Sequence, residues 1–452
     1  MKKLYNSNNK NIIILIVGLS ICWLIYCYIF KTFNYTFGIV FSFFYILFFF
    51  YLNPEKKYYV ILFTLPFASI FKIGSGLPSS IVLLYILYII QVLLQKNTKI
   101  KTIDYLFFVL IALLQFISMS IYQGSYSNLL SFILNILFMK VCIYNFIQLN
   151  NKQTVLYNSV YIYSVAMCLT IVSADIFPEI PYIVMWEKQT LLMSINRFSG
   201  LNADPNYYSQ LVLVAICLLI GSLLAKQKKT RLLGLLLGVF LIINGFRSIS
   251  KSYALSIIVV IATSFYYFIN SIQNKSYNDR LKKILLSIVI VNVGMISLIF
   301  VIQEFVIPIF EMRTETNDIL TGRGDIWKEY INLMILKPEI LSIGVGFAND
   351  ANILGKELGV YMAPHNIYIE LIIGCGLVGI ILLLLLFRDL FKHFKYTIKS
   401  PYFMFLVIFL FTSFGLSLSS NDAFFILIPL IILLRTGVNS NEETSDNNTY
   451  TS

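Results

Sequence analysis

The sequence predicts an all-α, polytopic integral membrane protein of about twelve to fourteen transmembrane helices with one large extracytoplasmic loop. Three observations predict it. Apolar residues fill 58% of the 452 positions and charged residues only 12%, with a mean hydropathy of +0.80, so polar groups are too few to cover a water-facing surface. Apolar runs long enough to cross a bilayer recur along the chain. Lysine and arginine concentrate in alternate loops.

The candidate spans lie at 11–30, 35–52, 58–71, 77–94, 103–121, 128–147, 154–175, 206–225, 231–246, 252–270, 284–306, 365–387, 402–418 and 422–436. Met1 to Lys10 lead into the first run with no small-residue cleavage site before Lys31, so it reads as an uncleaved span. Pro66 interrupts the 58–71 run, which reads as a broken or re-entrant helix. Residues 1–175 then form the N-terminal membrane helices, and 176–306 the central helices with the first extracytoplasmic loop. Residues 307–364 form the large extracytoplasmic loop, 365–436 the C-terminal helices, and 437–452 a disordered cytoplasmic tail rich in Asn, Ser, Thr and Glu.

Lys2, Lys3, Lys10, the group Lys226, Lys228, Lys229 and Arg231, and the group Arg388, Lys392, Lys395 and Lys399 all fall in one set of loops. That bias places both termini in the cytoplasm of a multi-pass plasma-membrane protein. The net charge of +12 is then a topology signal, with attraction to the anionic lipid bilayer, and gives no reason to expect a nucleic-acid partner. Six cysteines are scattered through apolar runs without metal-type spacing. Neither metal nor cofactor is expected.

Chemistry-bearing residues gather in the two long outside segments. The first holds Pro181, Trp186 and the string Arg197-Phe198-Ser199-Gly200-Leu201-Asn202-Ala203-Asp204-Pro205-Asn206. Asp204 and Pro205 suit the N-cap and first position of the following span; the alternative for Asp204 and Asn206 is direct ligand contact. Arg197 is either an interfacial anchor or a fixed anion clamp.

The second segment holds Arg313, Arg323, Trp327, Lys328, Lys337-Pro338, Gly344 and Gly346, and closes on His365-Asn366-Ile367-Tyr368. Trp327 and Tyr330, helically spaced, suit an amphipathic helix lying on the membrane. The glycine pair permits a tight turn but is no nucleotide fingerprint. His365 is the sole histidine expected outside the cytoplasm. It reads as a general base for a sugar hydroxyl or as an interfacial cap, with Asn366 beside it. Lys140, Asp175, Glu304 and Glu370 are expensive in lipid unless they face protein or water. Glu370, five residues past His365, is placed to tune it; Lys140 reads as a structural ion pair or a lipid-phosphate contact.

In this order and sidedness, the Arg197 to Asn206 string, Ser250-Lys251-Ser252, Arg323 with Trp327, Lys337-Pro338, Gly344 with Gly346, and His365-Asn366-Ile367-Tyr368 before Gly374, Gly376 and Gly379 resemble the O-antigen ligase and polysaccharide polymerase family. The resemblance covers Arg197 to Gly379. It implies metal-independent glycosyl transfer on the outer face of the membrane, from an oligosaccharide carried on a polyprenyl diphosphate. By that resemblance Arg197 and Arg323 hold the diphosphate, His365 assists the acceptor hydroxyl, and Lys251 or Arg247 supplies a third cation where the family places arginine. Asp204, Asn206, Trp327, Asn366 and Glu370 complete the substrate-binding set. Implied partner proteins are a flippase and a chain-length regulator.

A composition rich in Ile, Lys, Asn, Phe and Tyr suggests AT-rich coding and favours a capsule or exopolysaccharide repeat-unit polymerase. The alternatives are a glycan ligase of the same family and, from another class, a lipid-linked oligosaccharide flippase. A flippase would concentrate charge at the bilayer midplane.

Overall fold

The computed structural model describes residues 17–26, 28–29, 35–71, 80–95, 100–180, 197–202, 204–225, 231–273, 292, 299–300, 302–308, 323–398, 400–418 and 421–437. Arg313, Trp186, most of the 284–306 run and the tail from residue 438 lie outside the described residues.

Among the described residues the chain is helical, with no strand. Among the described residues six helices are long and apolar enough to cross a membrane: Thr102–Ile121, Tyr126–Gln148, Lys152–Ile176, Pro205–Leu224, Lys251–Ile269 and Ile367–Leu386. Shorter apolar helices at Val17–Tyr26, Ile81–Leu93, Arg231–Phe246, Phe403–Gly415 and Asp422–Leu434 accompany them.

This is a multi-pass membrane protein, and its surface shows why. The Arg231–Phe246 helix turns Leu232, Leu235, Leu236, Val239 and Ile243 outward, each at least 54% exposed, and such a stripe is at home in lipid rather than water. Pro205–Leu224 is instead almost wholly enclosed and forms the centre of the bundle. At Pro66 the Pro54–Thr64 helix gives way to a tight 3-10 turn, Leu65–Phe67, because proline cannot continue the donor ladder. The run is broken there, as the sequence predicts.

The helix ends sort onto two faces. On one face Lys140 Nζ meets Asp104 at 3.3 Å, Asp389 at 3.4 Å and the Leu386 carbonyl at 2.6 Å, and Arg388 closes on Asp104 at 3.0 Å. The buried Lys140 is therefore an ion pair within the protein. Tyr144 also donates to Asp104.

The opposite face carries Asp175, the Arg197–Asp204 segment, Arg247 and the helices after residue 323. Here the described part of the large loop, from Arg323 on, does not stand clear of the membrane helices. After the short Pro338–Ile343 helix, the turn Gly344–Phe347 lies against the middle of Ile367–Leu386. Val345 N donates to Ile373 O at 2.8 Å and Gly346 N to Gly374 O at 3.0 Å. At 1.5 Å per residue from Ile367, Gly374 sits roughly 10 Å down the helix.

Carbonyls freed there would be costly in lipid, and protein donors take them up. Gln115 Nε2 donates to Gly374 O at 3.1 Å while its Oε1 accepts from Phe347 N at 2.9 Å, and Ser118 donates to Ile343 O at 3.0 Å. Phe347 stacks on Phe132 at 4.4 Å.

The two glycine groups of the sequence meet at this contact. Gly376 breaks the helix at φ 64°, ψ 172°, a region essentially reserved for glycine. A Cβ on Gly376 would stand 2.5 Å from Gly344 N, Ile343 C and Ser342 O, and one on Gly344 2.5 Å from Gly374 O. Gly376→Ala is expected to destabilise the protein by about 3 kcal/mol or more. Gly238→Ala, where a Cβ meets nothing within 4 Å, is expected to leave stability unchanged. Thermal unfolding of both purified variants checks the contrast; equal melting temperatures would refute the tight contact.

Candidate functional site

The first part of the site is built on the entry to the Pro205–Leu224 helix. Asp204 is its N-cap, with extended backbone and its Oδ1 accepting from Asn206 N at 2.6 Å. This frees the Asn206 side chain to act as a hub. Its Oδ1 accepts from Arg197 Nη2 at 3.0 Å and from Ser250 Oγ at 3.2 Å, and Ser250 pairs with Ser252 at 2.8 Å. Arg197 Nε donates to Ser248 O at 2.9 Å, and Phe198 N to Arg247 O at 3.0 Å. The guanidinium is thus fixed in plane by two acceptors, a preorganised cation rather than a loose surface arginine.

The two other first-part cations differ. Arg247 makes a two-pronged ion pair with Asp175, at 2.9 and 2.6 Å, bonds Asn244 Oδ1 at 2.8 Å, and stacks 3.9 Å over the Phe198 ring. Its hydrogen bond to Asp175 raises its pKa further. Its fork serves the scaffold that holds Arg197. Lys251 opens the Lys251–Gln273 helix with its amine nitrogen buried.

The second part hangs on the helix Arg323–Leu336. Arg323, Trp327 and Tyr330 follow at helical spacing, so they share one face, and each holds a carbonyl. Arg323 Nη1 donates to Gly415 O at 2.9 Å, Trp327 Nε1 to Pro364 O at 2.8 Å and Tyr330 Oη to Met362 O at 2.7 Å. Tyr330 is fully buried. The aromatic pair expected to lie on the membrane surface instead turns inward and fixes the residues ahead of His365.

His365 has a left-handed backbone, φ 46°, a costly conformation for a non-glycine residue. Trp327 pins the carbonyl before it. Asn366 fixes the residue after it by capping the Ile367–Leu386 helix, its Oδ1 accepting from Tyr368 N at 3.0 Å and Ile369 N at 3.3 Å.

A segment without a sequence motif, Gly415 to Leu418, joins the two parts. Besides Arg323 on Gly415 O, Ser417 Oγ lies 3.4 Å from His365 Nδ1 and Glu370 Oε2 accepts from Leu418 N at 2.5 Å. Tyr207, one residue past Asn206, donates to Ser417 O at 2.7 Å and accepts from Ser417 N at 3.0 Å. Glu370 therefore reaches His365 through this segment rather than along its own helix. Sequence reasoning passes over Ser417, Tyr207 and Gly415 because hydroxyls and main-chain carbonyls in an apolar run carry no pattern.

Three stretches distant in sequence share one electrostatic field. Burial, and then the neighbouring Arg323 cation, push the His365 pKa below its ordinary value, with Asp204 opposing them. Burial lowers the Arg323 pKa as well, again opposed by Asp204 and then by Tyr207. A neutral imidazole beside a fixed cation can accept a proton while the cation meets negative charge. Among the described residues no group of three His, Cys, Asp or Glu side chains is placed to hold a metal ion.

Comparison with known protein families places part of the chain. The model of the O-antigen ligase family matches residues 208–384. That span contains Arg247, Lys251, Arg323, Trp327, His365, Asn366 and Glu370; Arg197, Asp204, Asn206 and the 415–418 segment flank it. No curated protein matches the chain.

Proposed function

We propose, for a chain whose residues 208–384 match the model of the O-antigen ligase family, that it is a repeat-unit polymerase working on the outer face of the membrane. The donor is an oligosaccharide on a polyprenyl diphosphate and the acceptor a lipid-linked glycan. The observation that carries this reading is the convergence of Arg323 and His365 on the 415–418 segment, with Asp204 in the field of both and Arg197 held at the other end of the Asp204-Pro205-Asn206 turn.

In this mechanism His365 takes the proton of the acceptor hydroxyl as its oxygen bonds to the anomeric carbon of the donor sugar. The bond from that carbon to the diphosphate oxygen breaks, and the electron pair leaves with the polyprenyl diphosphate. Arg323 and Arg197 stabilise the charge as it develops on that leaving group, because fixed cations in a dry site act most strongly where charge appears. Neither step calls for a divalent metal.

The direct test is purified protein with a lipid-diphosphate repeat unit in EDTA, without nucleotide sugar, followed by chain length on a gel. Longer glycans are expected. Movement of the lipid across a liposome bilayer with no new glycosidic bond would replace this reading with a flippase, and transfer only to a non-polyprenyl acceptor would make the protein a ligase.

Sidedness gives a second prediction. Arg231 opens the Arg231–Phe246 helix at the end away from Arg247, and Arg388 and Lys392 stand on the Arg388–Ile398 helix beside Asp104, away from the site, which supports an outward-facing site. The exposed Lys328 stands on the site face and the exposed Lys392 on the other. In a cysteine-free background, Lys328→Cys is expected to react with an impermeant maleimide in intact cells, and Lys392→Cys only after lysis. The reverse pattern would invert the topology.

A further inference from the structure

The Gly415 to Leu418 segment is held more firmly than its lack of regular structure would suggest. Ser417 is 3% exposed. Both of its main-chain groups are engaged by the single phenol of Tyr207, at 2.7 and 3.0 Å. Its neighbours are fixed in turn, Gly415 O by Arg323 and Leu418 N by Glu370. The one part of Ser417 not occupied in holding the segment is its hydroxyl, and that lies 3.4 Å from His365 Nδ1.

An imidazole has two nitrogens, and the partner of one decides what the other can do. If Nδ1 carries the proton and gives it to an acceptor, Nε2 keeps its lone pair and can take a proton. If Nδ1 accepts instead, Nε2 is protonated and can only donate.

We propose that Ser417 is a positioning residue for His365: its hydroxyl oxygen accepts the Nδ1 hydrogen, fixing the tautomer in which Nε2 is the proton acceptor. Tyr207 and Glu370 act one step further out by fixing Ser417. The inference rests on the reading of His365 as the base for the acceptor hydroxyl. It adds a residue outside the 208–384 domain to the machinery inside it.

The arrangement has a reason in the backbone. His365 sits at φ 46°, held by Trp327 on the preceding carbonyl and by the Asn366 cap that follows. Those contacts set where the ring begins but leave its rotation and tautomer open. A hydroxyl on a neighbouring segment locked at four points supplies what they lack.

Two measurements test it. The chain has only two histidines, so ¹⁵N-histidine labelling of the full-length His393→Gln protein reports on His365 alone. Above the His365 pKa the spectrum is expected to show the Nδ1-protonated tautomer. An Nε2-protonated ring would overturn the proposal without any change at Ser417.

The second measurement is the rate of glycosidic bond formation against pH. Ser417→Ala is expected to lose on the order of tenfold in turnover at saturating donor, with donor KM within about twofold, as for loss of a partner that orients a functional imidazole. Ser417→Thr, which keeps the hydroxyl, is expected to stay within about threefold of the parent.

The acid limb decides the direction of the bond. A serine that accepts from Nδ1 also stabilises the imidazolium, so its removal moves the limb to lower pH; a limb moving to higher pH would mean that the serine donates and would overturn the proposal. If His365→Asn is inactive while Ser417→Ala keeps the parent rate and profile, the positioning role falls and the base survives. If His365→Asn is itself fully active, the reading of the base falls first.

Discussion

His365→Ala is expected to lower the rate of glycosidic bond formation by about 10² to 10⁴, the range for removing a positioned proton acceptor. The backbone at φ 46° adds a complication, since alanine tolerates that conformation poorly. His365→Asn is the cleaner variant, because asparagine adopts left-handed backbone more readily and is no base. Both variants should be equally inactive, with Asn the better folded. A fully active His365→Asn enzyme would end the role of His365 as base.

The pH dependence carries a definite sign. Burial and Arg323 depress the His365 pKa, so the neutral, competent ring persists to lower pH than an ordinary histidine. The rate should therefore hold as pH falls through the usual histidine range and drop only below it. Removing the cation in Arg323→Gln should raise the His365 pKa and shift that acid limb upward, alongside the loss of rate.

Arg323→Lys is expected to cost about 10² to 10³ in rate, comparable with deleting one fixed donor from an anion-stabilising site. Under the proposed mechanism the charge alone is not enough. Arg323 already gives Nη1 to Gly415 O at 2.9 Å, and the rest of its planar fork remains to meet a diphosphate. A lysine ammonium offers one point of charge and cannot hold the 415–418 segment and a phosphate oxygen in fixed directions at once. Near-parental polymer synthesis by Arg323→Lys, with normal insertion, would reassign Arg323 to a structural role.

Much of the fold was legible because the bilayer imposes a coarse rule, a long apolar run for every crossing. Loop depth was not, since Gly344 to Phe347 reads as an ordinary turn until its donors are seen on Ile373 and Gly374. At the site, Asp204, Arg323 and His365 stand out because charge and titration near neutrality are rare in so apolar a chain. Asn206 as the hub for Arg197 and Ser250, and Arg247 as the partner of Asp175, depend on packing between helices far apart in sequence. Trp327 and Tyr330 show the limit of helical spacing, which groups residues on one face without saying whether that face meets lipid or protein.

The contact of Gly344 with Gly376 also sets an order of assembly. The loop that carries Arg323 leaves the ribosome before the helix against which it must lie, and the segment that joins Arg323 to His365 follows later still. Until Ile367–Leu386 has been inserted and broken at Gly376, the loop has nothing to seat on. Until Gly415 to Leu418 arrive, the arginine and the histidine have nothing in common to hold them. On the proposed reading of the site, a nascent chain would stay inert toward lipid-linked sugars until this last segment is in place.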